Sequence, residues 1–282
     1  MPGALLVTGG TGYLGGELLR QARGRPLAAS YLSGAPEGAD GVEWIELDVR
    51  DGVAVQSAIE RLQPAVVIHT AYRQDGEGAR ETTVDGAAAV ARAAASVGAR
   101  LVHLSSDVIF DGTKTTPYDE LDPPSPITDY GRAKVDAELE VTAAHPEALL
   151  VRTSLIYGGR EQSRHEQLAL QAARGEGELA FFDDELRCPV VVEDLAAALL
   201  ELLDTGESGV LNVAGGEVVS RYEFACLVAL GAGLPSGRIR RASIADSGLS
   251  RPRNCTLACA RAAGLLRTRL RGPRERLVAA AD

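Results

Sequence analysis

Lysine is almost missing from this chain of 282 residues: Lys114 and Lys134 are two of 29 basic side chains, and arginine supplies the other 27. Arginine is always charged and spreads its charge over a broad plane, whereas lysine offers a compact amine that can titrate, so a surviving lysine marks a position worth explaining. Basic charge is short overall. With 39 acidic side chains the formal net charge is −10, which works against non-specific attraction to phosphate backbones and excludes nucleic acid as an expected partner. Apolar runs long enough to span a bilayer, roughly 18 residues, are absent, and the opening MPGALLVTGG has neither the basic start nor the cleavage-type small residues of a secretory leader. The expectation is a cytoplasmic protein with no membrane partner. The four cysteines, Cys188, Cys226, Cys255 and Cys259, have no histidine at ligand spacing, so reduced, partly buried thiols are expected and no metal site. Repeats and low-complexity tracts are lacking too.

What is present alternates. The apolar runs ALLVT (4–8), PLAASY (26–31), VEWIEL (42–47), AVVIHT (65–70) and RLVHLSS (100–106) are separated by stretches at 15–22, 51–62 and 78–97 with helical periodicity. Strand-like runs without polar alternation belong to strands covered on both faces, hence a parallel sheet of βαβ units. The fold class expected is therefore α/β, a doubly wound parallel sheet of Rossmann type. Beyond about residue 155 the pattern loosens into a helix-like run at 163–173, a short LAFFD strand and helices starting near Glu193 and Tyr222, with glycine turns at 175–178 and 214–217. A smaller, mixed C-terminal lobe is expected there.

Directly after the first apolar run comes TGGTGYLGGELL, in which Gly10, Gly12 and Gly15 give GxGxxG and Gly9, Gly12 and Gly15 give GxxGxxG. Glycines permit the sharp turn and let backbone N–H groups approach a pyrophosphate, which then faces a helix N-terminus. Gly9, Gly12, Tyr13, Leu14 and Gly15 are the expected dinucleotide cradle. At the end of the second strand AASYLSG carries Ser30 and no carboxylate; an acid there would repel a 2′-phosphate, so NADP is favoured, with NAD left open because no arginine adjoins the position. Asp48 and Val49 follow the third strand, where Asp48 either meets the adenine amino group or caps the helix at 51.

Tyr130 and Lys134 lie four residues apart in DYGRAKVDAELE, so on a helix both project from one face. An adjacent ammonium stabilises a phenolate and brings a tyrosine, ordinarily near 10, toward neutral pH, where it can give a proton to a carbonyl oxygen. Ser106, ending the strand HLSS, is the candidate to hydrogen-bond that carbonyl or, on the plainer reading, to cap a turn. Asp107 follows it. Arg187, Arg251 and Arg253 could pair with a diphosphate or be ordinary surface arginines. Lys114 is read as solvating a turn, His69 and His103 as satisfied core residues, His145 as ending a helix and His165 as exposed.

These residues resemble the extended short-chain dehydrogenase/reductase family, and within it the dTDP-4-dehydrorhamnose reductase branch. TGGTGYLG, HLSSDVIFDG, TPYDELDPPSPITDYGRAKVDAE, VRTSLIYG, CPVVVEDLA, NVAGGEVVSRYEFA and RPRNCTL occur in the expected order, covering nearly the whole chain. The resemblance implies an NAD(P)H-dependent reductase of a nucleotide-linked 4-keto-6-deoxy sugar, with Ser106, Tyr130 and Lys134 catalytic, Asp107, Arg187 and Arg251 on the substrate side, and Ala71 and Tyr72 lining the nicotinamide ribose, although HTAYRQD differs from the alanine-rich loop of the branch. It places a dinucleotide-binding domain at 1–155, with 188–213 returning to it, and a substrate lobe at 156–187 and 214–282, and it leaves a homodimer open. Asp85 stands where the branch has asparagine, and RCPV at 187–190 replaces its usual glycine-serine-proline-threonine. Two other functions remain open: a sugar-nucleotide epimerase or dehydratase, disfavoured as a dehydratase because Val108 follows Asp107, and a non-catalytic NADP-binding subunit like the regulatory partner of methionine adenosyltransferase.

Overall fold

The apolar runs become strands of one sheet in a computed structural model that describes residues 3–34, 36 and 41–278. β1 (Leu5–Thr8), β2 (Leu27–Tyr31), β3 (Val42–Glu46), β4 (Val66–His69), β5 (Arg100–Ser106) and β6 (Leu149–Thr153) are joined by a seventh strand, Gly209–Asn212. Their spatial order is Gly209–Asn212, β6, β5, β4, β1, β2, β3. β1 runs parallel to β2 and β4, β2 to β3, and β4 to β5. The doubly wound parallel arrangement expected from the unalternating runs is therefore the fold of this chain, and its winding reverses between β1 and β4, the crevice where open α/β sheets take their ligands.

Helices of the sheet's unit include α1 (Tyr13–Gln21), α2 (Gly52–Leu62), α3 (Gly86–Ser96) and α4 (Asp129–Ala144). Asp51 starts α2 by accepting the N–H groups of Val53 and Ala54, the usual service of an N-cap. The helix expected over 78–97 is broken into a π turn, Glu81–Asp85, followed by α3. The break coincides with contacts to other parts of the chain. A Cβ on Gly86 would stand 2.7 Å from Val49 Cγ2, so the chain passes tightly over the end of β3, while buried Thr83 donates to the Arg73 carbonyl at 3.0 Å and ties the turn to the loop after β4.

Side-chain alternation along the strands separates two rows on one sheet face. Leu6, Val67, Leu101 and Leu150 pack in one cluster with the alanines of α3 and with Ala137 and Val141 of α4. Two residues further along the same strands, hence on the same face, stand Thr8, His69, His103 and Arg152, with Thr8 in register with His69 and His69 with His103. An apolar row thus gives way to a polar one at the carboxyl edge.

The chain divides into two compact units. The first contains the residues up to Ser106 with Asp129–Arg152 and Ala196–Leu211; the second contains Asp107–Thr128, Thr153–Leu195 and the chain from Asn212 onward. The second unit is mixed: Ile156–Tyr157 pairs parallel with Val190–Val191, Ala180–Phe182 parallel with Arg240–Ala242, and Leu186–Arg187 antiparallel with Val219–Ser220. Tyr157, Leu170, Phe181, Val191, Phe224 and Val228 form its core. A helix over Arg164–Arg174 begins with a reciprocal capping box between Ser163 and Glu166 and ends at Gly175 with φ 79°, both signals readable in sequence. Among the described residues no helix is long and apolar enough to cross a membrane.

Candidate active site

The glycine loop closes on itself. Gly9 sits at φ +73°, where a side chain would be strained and would also press on the Ala71 backbone at 3.0 Å, and a Cβ on Gly15 would lie 2.2 Å from the Gly9 carbonyl oxygen. Gly10 N–H donates to the Ser30 carbonyl at 2.8 Å, Gly9 N–H to Ser30 Oγ at 3.0 Å, and Gly12 N–H to the Gly9 carbonyl at 2.9 Å. Gly12 is the N-cap of α1, has extended backbone and contributes no side-chain cap. A tight turn, a helix N-terminus without a side-chain cap and glycines whose Cβ atoms would fill the cradle suit a dinucleotide pyrophosphate. Ser30 is buried and its hydroxyl holds the loop from below. Tyr13 is half-buried and Leu14 buried at the start of α1.

At the end of β5 the tyrosine and lysine are brought together. Lys134, only 4% exposed, donates to the Leu104 carbonyl at 2.9 Å and lies 4.8 Å from the ring centroid of Tyr72 and 5.9 Å from that of Tyr130. The two rings are 5.8 Å apart, so one ammonium serves both aromatic faces, an attraction that strengthens on desolvation. Burial pushes Lys134 down to about 8 against the upward pull of Glu138. Ser106, half-buried, ends β5 two residues beyond the carbonyl that Lys134 grips. Tyr72 is about half exposed and Ala71 partly buried against the sheet core.

Several expectations are revised. Asp48 does not cap the helix, because Asp51 does. Its carboxylate is gripped by Arg50, whose Nε lies 2.9 Å from both oxygens, and this hydrogen bonding, opposed by some burial, lowers its pKa. Val49 is buried beneath Gly86. His69 is only half satisfied and His103 not at all: His69 Nδ1 meets Thr8 Oγ1 at 2.7 Å, but His69 Nε2 and both ring nitrogens of His103 are buried without a hydrogen-bond partner. The rings stack at 5.3 Å, and burial, aided by Lys134, pushes His69 down to about 3 and, with His69 adding to it, His103 well below its usual value. His165 is not exposed but half-buried, 3.2 Å from Arg221 Nη2. Lys114 is ion-paired with Asp122 at 2.5 Å. His145 Nε2 contacts the Ala99 carbonyl at 2.9 Å. Asp85 is exposed at the end of the π turn.

In the second unit the three substrate-side candidates form a chain in which Arg187 joins Asp107 to Glu185 and Glu185 joins Arg251. Buried Asp107 accepts from Ser154 Oγ at 2.6 Å and lies 3.6 Å from Arg187 Nε. Arg187, buried, reaches Glu185 at 3.1 Å, and Glu185 also takes Arg251 Nε at 2.9 Å. Burial alone would raise Glu185; Arg187 and Arg251 overcome it and hold its pKa low. Arg187 is thus engaged by carboxylates, whereas Arg251 keeps a side chain 43% exposed and lies 5.6 Å from the Phe182 ring. Arg253 is largely exposed, 3.5 Å from Asp184. Among the described residues no group of three or more His, Cys, Asp or Glu could hold a metal ion.

The sequence reading missed Glu185 and Ser154 of the Arg187 cluster, and in the sheet unit it missed Arg152 and Glu138. Arg152 Nε and Nη2 donate to the two oxygens of Glu138 at 3.1 and 2.8 Å, and both side chains are buried. A signal existed for this pair: Glu138 lies one helical turn beyond Lys134, and an arginine inside the apolar LLVRT run demands a partner.

Comparison with known proteins gives the family. The model of the family described as RmlD substrate binding domain matches residues 3–282. A dTDP-4-dehydrorhamnose reductase of Mycobacterium tuberculosis is 35% identical over 264 residues, covering 89% of this chain and 82% of that protein. The methionine adenosyltransferase 2 subunit beta of Pongo abelii is 31% identical over 278 residues, covering 91% and 80%. Among solved structures, dTDP-4-dehydrorhamnose reductase from Bacillus anthracis in complex with NADP superposes with a TM-score of 0.82 at 26% identity, covering 99% of this chain and 98% of its own. The chain belongs to the RmlD substrate binding domain family.

Proposed function

We propose that this protein is an NAD(P)-dependent reductase, with NADP the favoured cofactor and NAD the alternative, of a nucleotide-linked 4-keto-6-deoxy sugar. The observation that carries the reading is the buried Lys134 ammonium set against the Tyr72 and Tyr130 rings at the end of β5, on a sheet whose first loop suits a dinucleotide. The reductase from M. tuberculosis and the NADP complex from B. anthracis support it.

When bound, the nicotinamide supplies the hydride. Gly9, Gly12, Tyr13, Leu14 and Gly15 would hold the pyrophosphate with backbone N–H groups and the N-terminus of α1; Asp48 and Val49 would lie on the adenine side, and Ala71 and Tyr72 would line the nicotinamide ribose. Lys134 holds positive charge beside Tyr130, which favours the phenolate and so eases release of the phenol proton to the ketone oxygen. Ser106 donates a hydrogen bond to that oxygen and fixes its position. Arginine at 134 would hold charge with a broader head that titrates out of range, which accounts for the lysine in an arginine-rich chain. On the sugar-nucleotide side Arg251 offers the exposed guanidinium, while Arg187 and Asp107 stiffen its support through Glu185.

NADPH oxidation that starts only when a dTDP-4-keto-6-deoxy sugar is added tests the reading. Tyr130→Phe should lower turnover by about 10²–10⁴-fold, the usual contribution of a general acid, with dinucleotide affinity unchanged; undiminished turnover rejects the assignment.

The adenosyltransferase subunit among the relatives favours one second reading, a dinucleotide-binding regulatory subunit. Tight NADPH binding, no oxidation across a panel of keto-sugars and association with a methionine adenosyltransferase catalytic subunit would support it instead.

A further inference from the structure

Lys134 and Glu138 lie one turn apart on α4, both on its buried face. On an exposed helix the order lysine then glutamate is the weaker arrangement of an i,i+4 pair, and helix stabilisation does not explain a carboxylate sealed in the interior. Glu138 is not free to turn away, because Arg152 of β6 clamps both its oxygens.

Apart from the Leu104 carbonyl and the two ring faces, the side chains near Lys134 offer its charge no buried anion. His69 of β4 and His103 of β5 are held neutral and, if protonated, would repel it. Tyr72 after β4 and Tyr130 on α4 present ring faces. Arg152 adds a cation that Glu138 neutralises. Around α4, Arg80 pairs with Asp136 at 2.9 Å in a partly exposed bridge, and Glu81 and Asp85 in the π turn packed on the helix are exposed and screened by solvent. Among the described residues, Glu138 is the buried carboxylate of this layer.

We propose that Glu138, clamped by Arg152, is a positioning residue that keeps Lys134 protonated inside the sheet and helix layer. Its significance for turnover rests on the Tyr130 and Lys134 reading above: a neutral amine would not favour the phenolate. The electrostatic claim stands apart from turnover and is measured separately.

The scarcity of lysine makes the measurement direct. Protein labelled with ¹³C at the lysine ε-carbon has two resonances, and Lys134→Arg assigns one by its disappearance. In the unliganded wild type the Lys134 signal should titrate below the ordinary lysine value, near 8. In Glu138→Gln its midpoint should fall by about one unit or more, the usual size of a close opposite charge, and Glu138→Asp should restore most of it. Glu138→Gln strands Arg152, so the double variant Glu138→Gln with Arg152→Met, which removes both charges, guards against misfolding and should show a fall in the same direction, smaller than in Glu138→Gln because the Arg152 cation is gone as well. Arg152→Met alone should move the midpoint upward. An unmoved midpoint in folded Glu138→Gln and in the double variant overturns the inference whatever the activity; a moved midpoint supports it even if no keto-sugar is reduced. In an active protein, the alkaline limb of the kcat profile should shift to lower pH in Glu138→Gln, with KM little changed.

Discussion

Both units bury basic side chains beside carboxylates, under different conditions. In the second unit Arg187 meets Asp107 and Glu185, and Glu185 also receives Arg251, so each charge is answered by an opposite one. In the sheet unit Lys134 grips a main-chain carbonyl under two aromatic rings, and beneath it His103 leaves both ring nitrogens without partners. A fully answered network holds geometry; in the incompletely answered one burial brings Lys134 down toward working pH and holds the two histidines neutral. The difference separates a scaffold from a place suited to moving protons.

That contrast can be broken at its strongest point. Arg187→Met leaves Asp107 and Glu185 buried with one guanidinium fewer and should lower stability by about 3–5 kcal/mol in urea unfolding; a loss under about 1 kcal/mol would mean that the network is not a scaffold.

The histidines sharpen the other side. Because the folded His69 is held to about 3 while an unfolded histidine takes up its proton near 6.5, the unfolded chain binds more protons between those values. Stability should therefore fall as pH drops through that window, by at most about 1.4 kcal/mol per pH unit for each such histidine. His103→Leu should flatten the decline and leave stability at pH 7 equal or higher, since it removes buried polar atoms with no partner. An unchanged acid slope would show that His103 is solvated or bonded in solution.

The smallest effect is expected at Arg251. Its side chain is 43% exposed, so solvent screens the bridge to Glu185, and Arg251→Ala should cost less than about 1 kcal/mol. On the proposed function the same change should raise KM for the sugar nucleotide more than it lowers kcat. Equal stability losses at Arg187 and Arg251 would erase the distinction between support and contact within that cluster.

Much of the sheet was legible because its signals are local. The runs at 4–8, 26–31, 42–47, 65–70 and 100–106 each matched a strand to within a residue or so, since β-branched and leucine runs bury themselves on both faces wherever they occur. The π turn at Glu81–Asp85 was not legible, because it answers to Val49 beneath Gly86, more than 30 residues away. The histidines were recognised as strand residues, yet their isolation depends on what lies across the sheet. Arginine misled in a different way: composition says how many guanidinium groups exist, while packing determined that Arg187 turns to Asp107 and Glu185 and Arg251 keeps an exposed face.

By itself, then, the amino-acid order determined the winding of the sheet, the glycine loop with its helix and the one-turn spacing of Tyr130, Lys134 and Glu138, because each depends on neighbours within a turn or a strand. Only the tertiary structure decided which charges are answered. Thr8 and His69 are 61 positions apart and meet across paired strands, Arg152 reaches Glu138 from a different element, and the desolvation that moves Lys134 exists only once the sheet and α4 close over it.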